Sequence, residues 1–197
     1  LVAGLTGNYG MGKSSVLRMF RELGAITLDA DEIVNDLLND KSVLERIREV
    51  FGDHVFLSDG QLDRAKAAAI IFSDKRSRDI FEGILHPLVF GKIDRFIDAV
   101  KDKESIVIIE IQLLFERGYL DRFDRTITVF TDEDTALKRL EGVGVSRGNA
   151  LMRLDAQMPI EDKIKRADFV IDNSRTLIDT EEQVKKIYGK LMEEIKS

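Results

Sequence analysis

Short apolar runs alternate with amphipathic stretches along this chain. Val2–Thr6, Ala25–Asp29, Ser105–Ile109, Arg125–Phe130 and Phe169–Ile171 are each brief, bounded and rich in β-branched or aromatic residues, as buried strands are. Between them the helical period takes over. Ser14–Leu23 stops at Gly24, Thr135–Leu140 follows the fourth run, and Glu181–Ile195 places Val184, Ile187, Tyr188, Leu191 and Ile195 on one face. Strands separated by helices predict parallel βαβ units, and hence an α/β fold with a five-stranded parallel sheet flanked by helices.

Two stretches depart from that rhythm. From Val43 to Val100 the strand signal is gone and four helices are predicted, Val43–Phe51, Arg64–Phe72, Lys75–Leu85 and Leu88–Val100. Proline disfavours helix in the residue before it, so His86-Pro87 reads as a break between the last two. From about Val145 to Arg166 the chain is dense in charge and carries Arg147, Arg153, Lys163, Lys165 and Arg166. That segment reads either as a lid that closes over phosphate or as a solvated helical hairpin. The expected organisation is therefore a core of residues 1–40, 102–142 and 167–197, a helical insertion of residues 41–101, and a second insertion, read as a lid, of residues 143–166.

Composition narrows the partners. The 197 residues are 44% hydrophobic and 34% charged with a net charge of −6, which fits a soluble globular protein and gives no reason to expect nucleic-acid binding. Apolar runs fall short of a membrane span; the strongest, Ile106–Phe115, is interrupted by Glu110 and Gln112. No signal peptide is visible, and without an initiating Met the numbered chain is expected to lack its first residue or residues. The absence of cysteine excludes disulfides and thiolate metal sites and fits a cytoplasmic protein.

The first apolar run leads into Gly7-Asn8-Tyr9-Gly10-Met11-Gly12-Lys13-Ser14, which satisfies G-x-x-x-x-G-K-[ST] between a strand and a helix. Glycines let backbone amides close around a phosphate, and the start of the following helix adds partial positive charge. Lys13 reaches the β- and γ-phosphates in such a loop and the Ser14 hydroxyl ligates magnesium. Gly7, Gly10, Met11, Gly12, Lys13, Ser14 and Ser15 are accordingly the candidate residues for ATP, with Mg²⁺ as the implied metal.

Carboxylates follow the next two strands. Asp29-Ala30-Asp31 opens a helix at the sheet edge where ligands bind, so Asp31 is a candidate to accept a hydroxyl proton, and Asp29 with Glu32 alternatively spells a helix cap. Glu110 ends the third strand, and a buried charge there calls for a cation: magnesium, or an arginine of the second insertion. Glu116 is expected to order its loop by helix-end hydrogen bonds. His54 and His86 are too few for a metal site, and Arg64 and Lys66 either grip an anion or face solvent.

Taken in order, Gly7–Ser14, Asp29-Ala30-Asp31, Leu85-His86-Pro87-Leu88, Leu113-Leu114-Phe115-Glu116, Gln157-Met158-Pro159 and Ala167-Asp168-Phe169-Val170-Ile171-Asp172-Asn173-Ser174 resemble the dephospho-CoA kinase family. The resemblance runs from about Ala3 to Ser174 and implies a P-loop kinase fold that transfers the γ-phosphoryl group of ATP to the ribose 3′-hydroxyl of dephospho-coenzyme A. It implies that Asp31 stands beside the acceptor hydroxyl, that Arg64, Phe72, His86 and Pro87 lie on the acceptor-binding insertion, and that Asp172-Asn173 borders adenine. It also places Arg139 and Arg153 around the lid as charge-neutralising groups.

Three departures accompany it. The family's usual Gly-Gly-Ile-Gly-Ser-Gly is here Gly7-Asn8-Tyr9-Gly10-Met11-Gly12; its usual Asp-Val-Pro is Glu110-Ile111-Gln112; and Glu141-Gly142-Val143-Gly144 lacks the expected basic residue. Arg147 is the nearest substitute, and the glycines predict a loose hinge. A kinase with another small hydroxyl or nucleotide acceptor, and a nucleotide-binding module without catalysis, stand as alternatives. Oligomeric state is not readable from these residues.

Overall fold

All five apolar runs become strands of one parallel sheet in the computed structural model, which describes residues 1–100, 105–116 and 119–196, apart from the side chains of residues 72 and 73. The elements are β1 (Val2–Thr6), α1 (Lys13–Glu22), β2 (Ile26–Asp29), α2 (Ala30–Leu37), α3 (Lys41–Phe51), α4 (Arg64–Ser73), α5 (Lys75–Val100), β3 (Val107–Glu110), β4 (Arg125–Phe130), α6 (Glu133–Gly142), α7 (Arg147–Asp155), α8 (Ile160–Arg166), β5 (Phe169–Asp172) and α9 (Leu177–Ile195).

Strand order is β2-β3-β1-β4-β5, so β1 lies between β3 and β4, the place where the chain changes direction across the sheet. In such sheets the crevice beyond the strands' C-terminal ends receives the ligand. Register brings Leu5 beside Glu110, Glu110 beside Asp29, and Phe130 beside Asp172. Val16 and Phe20 of α1 and Val184 and Leu191 of α9 are buried with Ile108, Ile127 and Ile171 of the sheet. Each large apolar side chain buried this way contributes about 1.5–3 kcal/mol relative to exposure.

The chain divides into two compact units, Leu1–Asp29 with Val100–Ser197, and Ala30–Ala99. The second is helical, with its Phe51 and Phe81 rings meeting edge to face at 6.1 Å. The break expected at His86-Pro87 does not occur, because α5 runs unbroken through both residues. Pro87 removes one helical hydrogen bond, at a cost of about 3 kcal/mol. Leu85, Val89 and Ile93 are buried one turn apart on either side of it, and that continuous stripe outweighs the local loss.

The second insertion also differs from a free-standing hairpin. Ala150 of α7 is buried with Leu137 and Leu140 of α6, and Lys163 of α8 is fully buried. The Glu141–Gly144 stretch is a closed helix end rather than a loose hinge: Gly144 N–H donates to the Glu141 carbonyl at 3.0 Å and Val145 N–H to the Leu140 carbonyl at 3.0 Å. Among the described residues, no helix is long and apolar enough to cross a membrane.

Carboxylates accept backbone N–H groups at several helix starts, Asp74 among them, whose Oδ2 takes the Ser77 N–H at 2.7 Å at the start of α5. Asp40, Asp63 and Asp132 accept backbone N–H groups at the starts of α3, α4 and α6, and Asp179 completes a capping box with Thr176 at α9. The Ser42 hydroxyl on Asp40, the Thr176 hydroxyl on Asp179, and the Lys66 and Thr135 backbone N–H groups on Asp63 and Asp132 hold these carboxyls below the usual value of 3.8. Their contribution is therefore fully present above that value and is lost as pH falls through the lowered folded-state values. Urea midpoints measured from about pH 5 down to about pH 2.5 are expected to fall less steeply in Asp63→Asn and Asp132→Asn, which keep a capping oxygen without a titrating group.

Candidate active site

Loop 7–14 leaves the buried end of β1 and turns into α1 through Gly12, whose φ of 86° and ψ of 24° are left-handed. A Cβ at Gly12 would collide with Asn173 Nδ2, and one at Gly7 would collide with the Val129 carbonyl oxygen. Both positions need glycine for space as well as for conformation. Helix α1 then starts at Lys13 with no side-chain cap and no acidic residue in its first turn, whereas α3, α4, α6, α7 and α9 are capped by Asp40, Asp63, Asp132, Ser146 and Thr176. The positive end of α1 is thus left to an outside anion.

Lys13 is 7% exposed, and its Nζ lies 3.8 Å from Glu110 Oε1 and 3.4 Å from the Asn8 carbonyl oxygen that accepts its hydrogen bond. A cation beside Glu110 is thus the loop lysine, brought there because Glu110 is the β3 residue in register with Leu5 of β1, whose loop Lys13 ends. Ser14 follows Lys13 and is exposed, and Asp29 stands in register with Glu110. Among the described residues no three His, Cys, Asp or Glu side chains are grouped to hold a metal ion. A hydroxyl and one or two carboxylates are hard oxygen donors, and they fit an ion such as Mg²⁺ that draws its remaining ligands from phosphate and water.

Two sets of contacts support the loop. On one side Asn173 Nδ2 donates to the Met11 carbonyl at 2.9 Å, its Oδ1 accepts from Thr180 Oγ1 at 3.0 Å, and its own carbonyl accepts from Arg139 Nη2 at 2.9 Å. Asp172 Oδ1 accepts the Ser174 N–H at 2.9 Å, and Gln183 bonds both backbone groups of Asp172. On the other side Asn8 Nδ2 donates to the Met158 carbonyl at 3.0 Å, Tyr9 N–H donates to Gln157 Oε1 at 2.9 Å, and the Arg153 guanidinium carbon lies 4.9 Å from the centre of the Tyr9 ring.

Beneath that second side is a buried ion pair. Lys163 Nζ lies 2.8 Å from Glu116 Oε1 and donates to the Gln112 carbonyl at 2.9 Å, and Glu116 Oε1 also accepts the Met158 N–H at 3.1 Å. Glu116 does order its loop, and the N–H it takes lies at the approach to α8. Burial pulls the Lys163 ammonium below its usual value of 10.5, against the Glu116 carboxylate that favours its charge. Arg147 lies 3.9 Å from Asp134 and 3.8 Å from Glu141, held by the carboxylates of α6.

The remaining candidates belong to the helical unit. Asp31 is exposed in the first turn of α2, and Arg64 Nη1 donates to Asn35 Oδ1 at 2.6 Å. His86 meets Phe90 edge to face at 6.3 Å, and burial lowers its pKa from the usual 6.5. Pro87 is exposed, and the Phe72 side chain lies outside the described residues. The sequence hides the roles of Lys163, Gln183 and Thr180, since hydrophobic period cannot mark a polar residue that is buried by a partner from another segment. The bulk of Asn8 and Tyr9 within a glycine loop is the one local signal that these positions do something besides turn.

The family model described as dephospho-CoA kinase matches residues 1–179. A dephospho-CoA kinase of Aquifex aeolicus is 38% identical over 189 residues, covering 95% of this chain and 96% of the relative. The crystal structure of TT1252 from Thermus thermophilus superposes with a TM-score of 0.82 at 32% identity, covering 97% of each chain. A dephospho-CoA kinase structure from Campylobacter jejuni gives 0.71 at 27% identity, over 98% of this chain and 97% of that one.

Removing one partner of a buried pair leaves an uncompensated charge. Glu116→Leu is expected to destabilise the protein by about 3–5 kcal/mol. Adding Lys163→Met in the same chain should recover a large part of that loss. Urea unfolding of the single and double variants reads this directly, and simple additivity of the two losses would contradict the pairing.

Proposed function

The chain belongs to the dephospho-CoA kinase family, and we propose that it transfers the γ-phosphoryl group of ATP to the ribose 3′-hydroxyl of dephospho-coenzyme A, giving coenzyme A and ADP. The observation that carries this reading is the glycine loop closing on the open start of α1, with Lys13 at its head. The loop amides and Lys13 hold the β- and γ-phosphates, and Ser14 and Glu110 are the residues that would hold Mg²⁺, which neutralises phosphate charge when bound.

In the transfer, the acceptor oxygen forms a bond to the γ-phosphorus while the bond from that phosphorus to the bridging oxygen breaks, and ADP leaves with the electron pair. The hydroxyl proton passes to the Asp31 carboxylate, which also orients the acceptor. Arg139 is fixed by the Asn173 carbonyl and Arg153 is held at the Tyr9 ring; both serve to neutralise charge that spreads over the phosphoryl oxygens. Asp172 and Asn173 border the adenine through their backbone, since the Asn173 amide is spent on Met11 and Thr180. Arg64, Phe72, His86 and Pro87 bind the acceptor in this reading. A small-molecule acceptor and a cytoplasmic setting complete it.

Asp31→Asn keeps the shape of the side chain but cannot take a proton. Turnover is expected to fall by about 10²- to 10⁴-fold with ATP affinity nearly unchanged. Steady-state kinetics beside ATP titration calorimetry checks both, and unaltered turnover would remove Asp31 from the mechanism. Calorimetry with dephospho-coenzyme A and with a nucleoside monophosphate is expected to show binding of the first. Tight binding of the monophosphate alone would overturn the acceptor assignment.

A further inference from the structure

Asn8 and Tyr9 stand where the family pattern has Gly-Ile, and neither side chain is needed to wrap a phosphate. Both instead face the segment that contains α7 and the approach to α8. Asn8 is 6% exposed and its side-chain amide donates to the Met158 carbonyl at 3.0 Å. The Tyr9 N–H is taken by Gln157 Oε1 at 2.9 Å, and the Tyr9 ring joins the apolar cluster of Leu137, Leu140 and Ala150. Above the ring the Arg153 guanidinium carbon stands 4.9 Å from the centroid, within the range where a cation is drawn to an aromatic face.

These contacts join one loop to one segment at three points. The far end of that segment is fixed as well, by Lys163 to Glu116 at 2.8 Å and by Met158 N–H to Glu116 at 3.1 Å. The phosphate loop therefore carries its own fastening for the residues that flank it, and the charged group so fastened is an arginine.

We propose that Tyr9, with Asn8, is a positioning residue: its ring is the platform that holds the Arg153 side chain at the mouth of the phosphate loop before nucleotide arrives. The platform rests on the phosphotransfer reading only for what Arg153 then does, which is to meet the charge of the transferring phosphoryl group. Holding the side chain in advance removes the entropy of ordering it at the moment of binding. An isoleucine at this position offers apolar bulk without a π face, so it fills the cluster but cannot hold a cation.

Five variants test the idea: Tyr9→Ile, Tyr9→Phe, Arg153→Met, and Arg153→Met combined with each of the first two. In nucleotide-free protein, amide exchange in peptides covering residues 147–158 is expected to quicken by roughly 3- to 30-fold in Tyr9→Ile and to stay within about twofold of the parent in Tyr9→Phe, the spread of strengths found for cation–aromatic pairs. The ratio kcat/KM for ATP should fall by a similar factor in Tyr9→Ile, and the fall should vanish in the Arg153→Met background because the two residues act as one. Equal losses in both backgrounds, or unchanged exchange in Tyr9→Ile, would overturn the proposal. Should Tyr9→Ile not fold, Arg153→Met alone removes the same pair from the other side and must quicken exchange in the same peptides. If the parent protein transferred nothing to dephospho-coenzyme A, the phosphotransfer reading would fall, and the exchange measurements would still decide the platform.

Discussion

A phosphate loop must keep a lysine charged and aimed while surrounding it with too little water to solvate it. Here Lys13 is 7% exposed and sits between the Asn8 carbonyl and the Glu110 carboxylate, at 3.4 and 3.8 Å. A lone ammonium in that position would carry a desolvation cost of several kcal/mol. Glu110 offsets that cost, and it can do so only because β3 runs parallel to β1 in the register that sets Glu110 beside Leu5. The loop's chemistry is thus tied to the order of strands in the sheet. At 3.8 Å the pair is a charge interaction longer than a hydrogen bond, so Lys13 Nζ is not locked to the carboxylate.

The same demand is met a second time a few residues away, where Lys163 is fully buried against Glu116 and the Gln112 carbonyl. The loop from Glu110 to Glu116 therefore supplies a carboxylate at each end, one to the phosphate loop and one to α8. Asn173 binds Met11 from the opposite flank. A loop rich in glycine has little rigidity of its own, and these neighbours define its shape from outside.

How much of this could be read from the residues follows from the range over which each signal acts. Strand positions and the helices around the sheet were legible because alternating apolar runs report burial locally, and α1 and the glycine loop follow a spacing set by phosphate itself. The unbroken α5 was not, since the rule for residues before proline is local and the stripe of Leu85, Val89 and Ile93 that overrides it depends on packing. Glu110 announced that it needed a cation without revealing which. The answer depended on strand register, which no segment encodes alone. The Glu141–Gly144 stretch misled in the other direction: its glycines suggested a hinge, while the backbone closes a helix end with hydrogen bonds at 3.0 Å.

The donor site built on Lys13 is read as serving phosphoryl transfer to dephospho-coenzyme A. A coupled assay of ADP release, run with and without dephospho-coenzyme A and with and without Mg²⁺, tests it most directly. Saturable ADP release that requires both is expected. ADP release indifferent to dephospho-coenzyme A, or none under any of the four conditions while ATP binds, would contradict it.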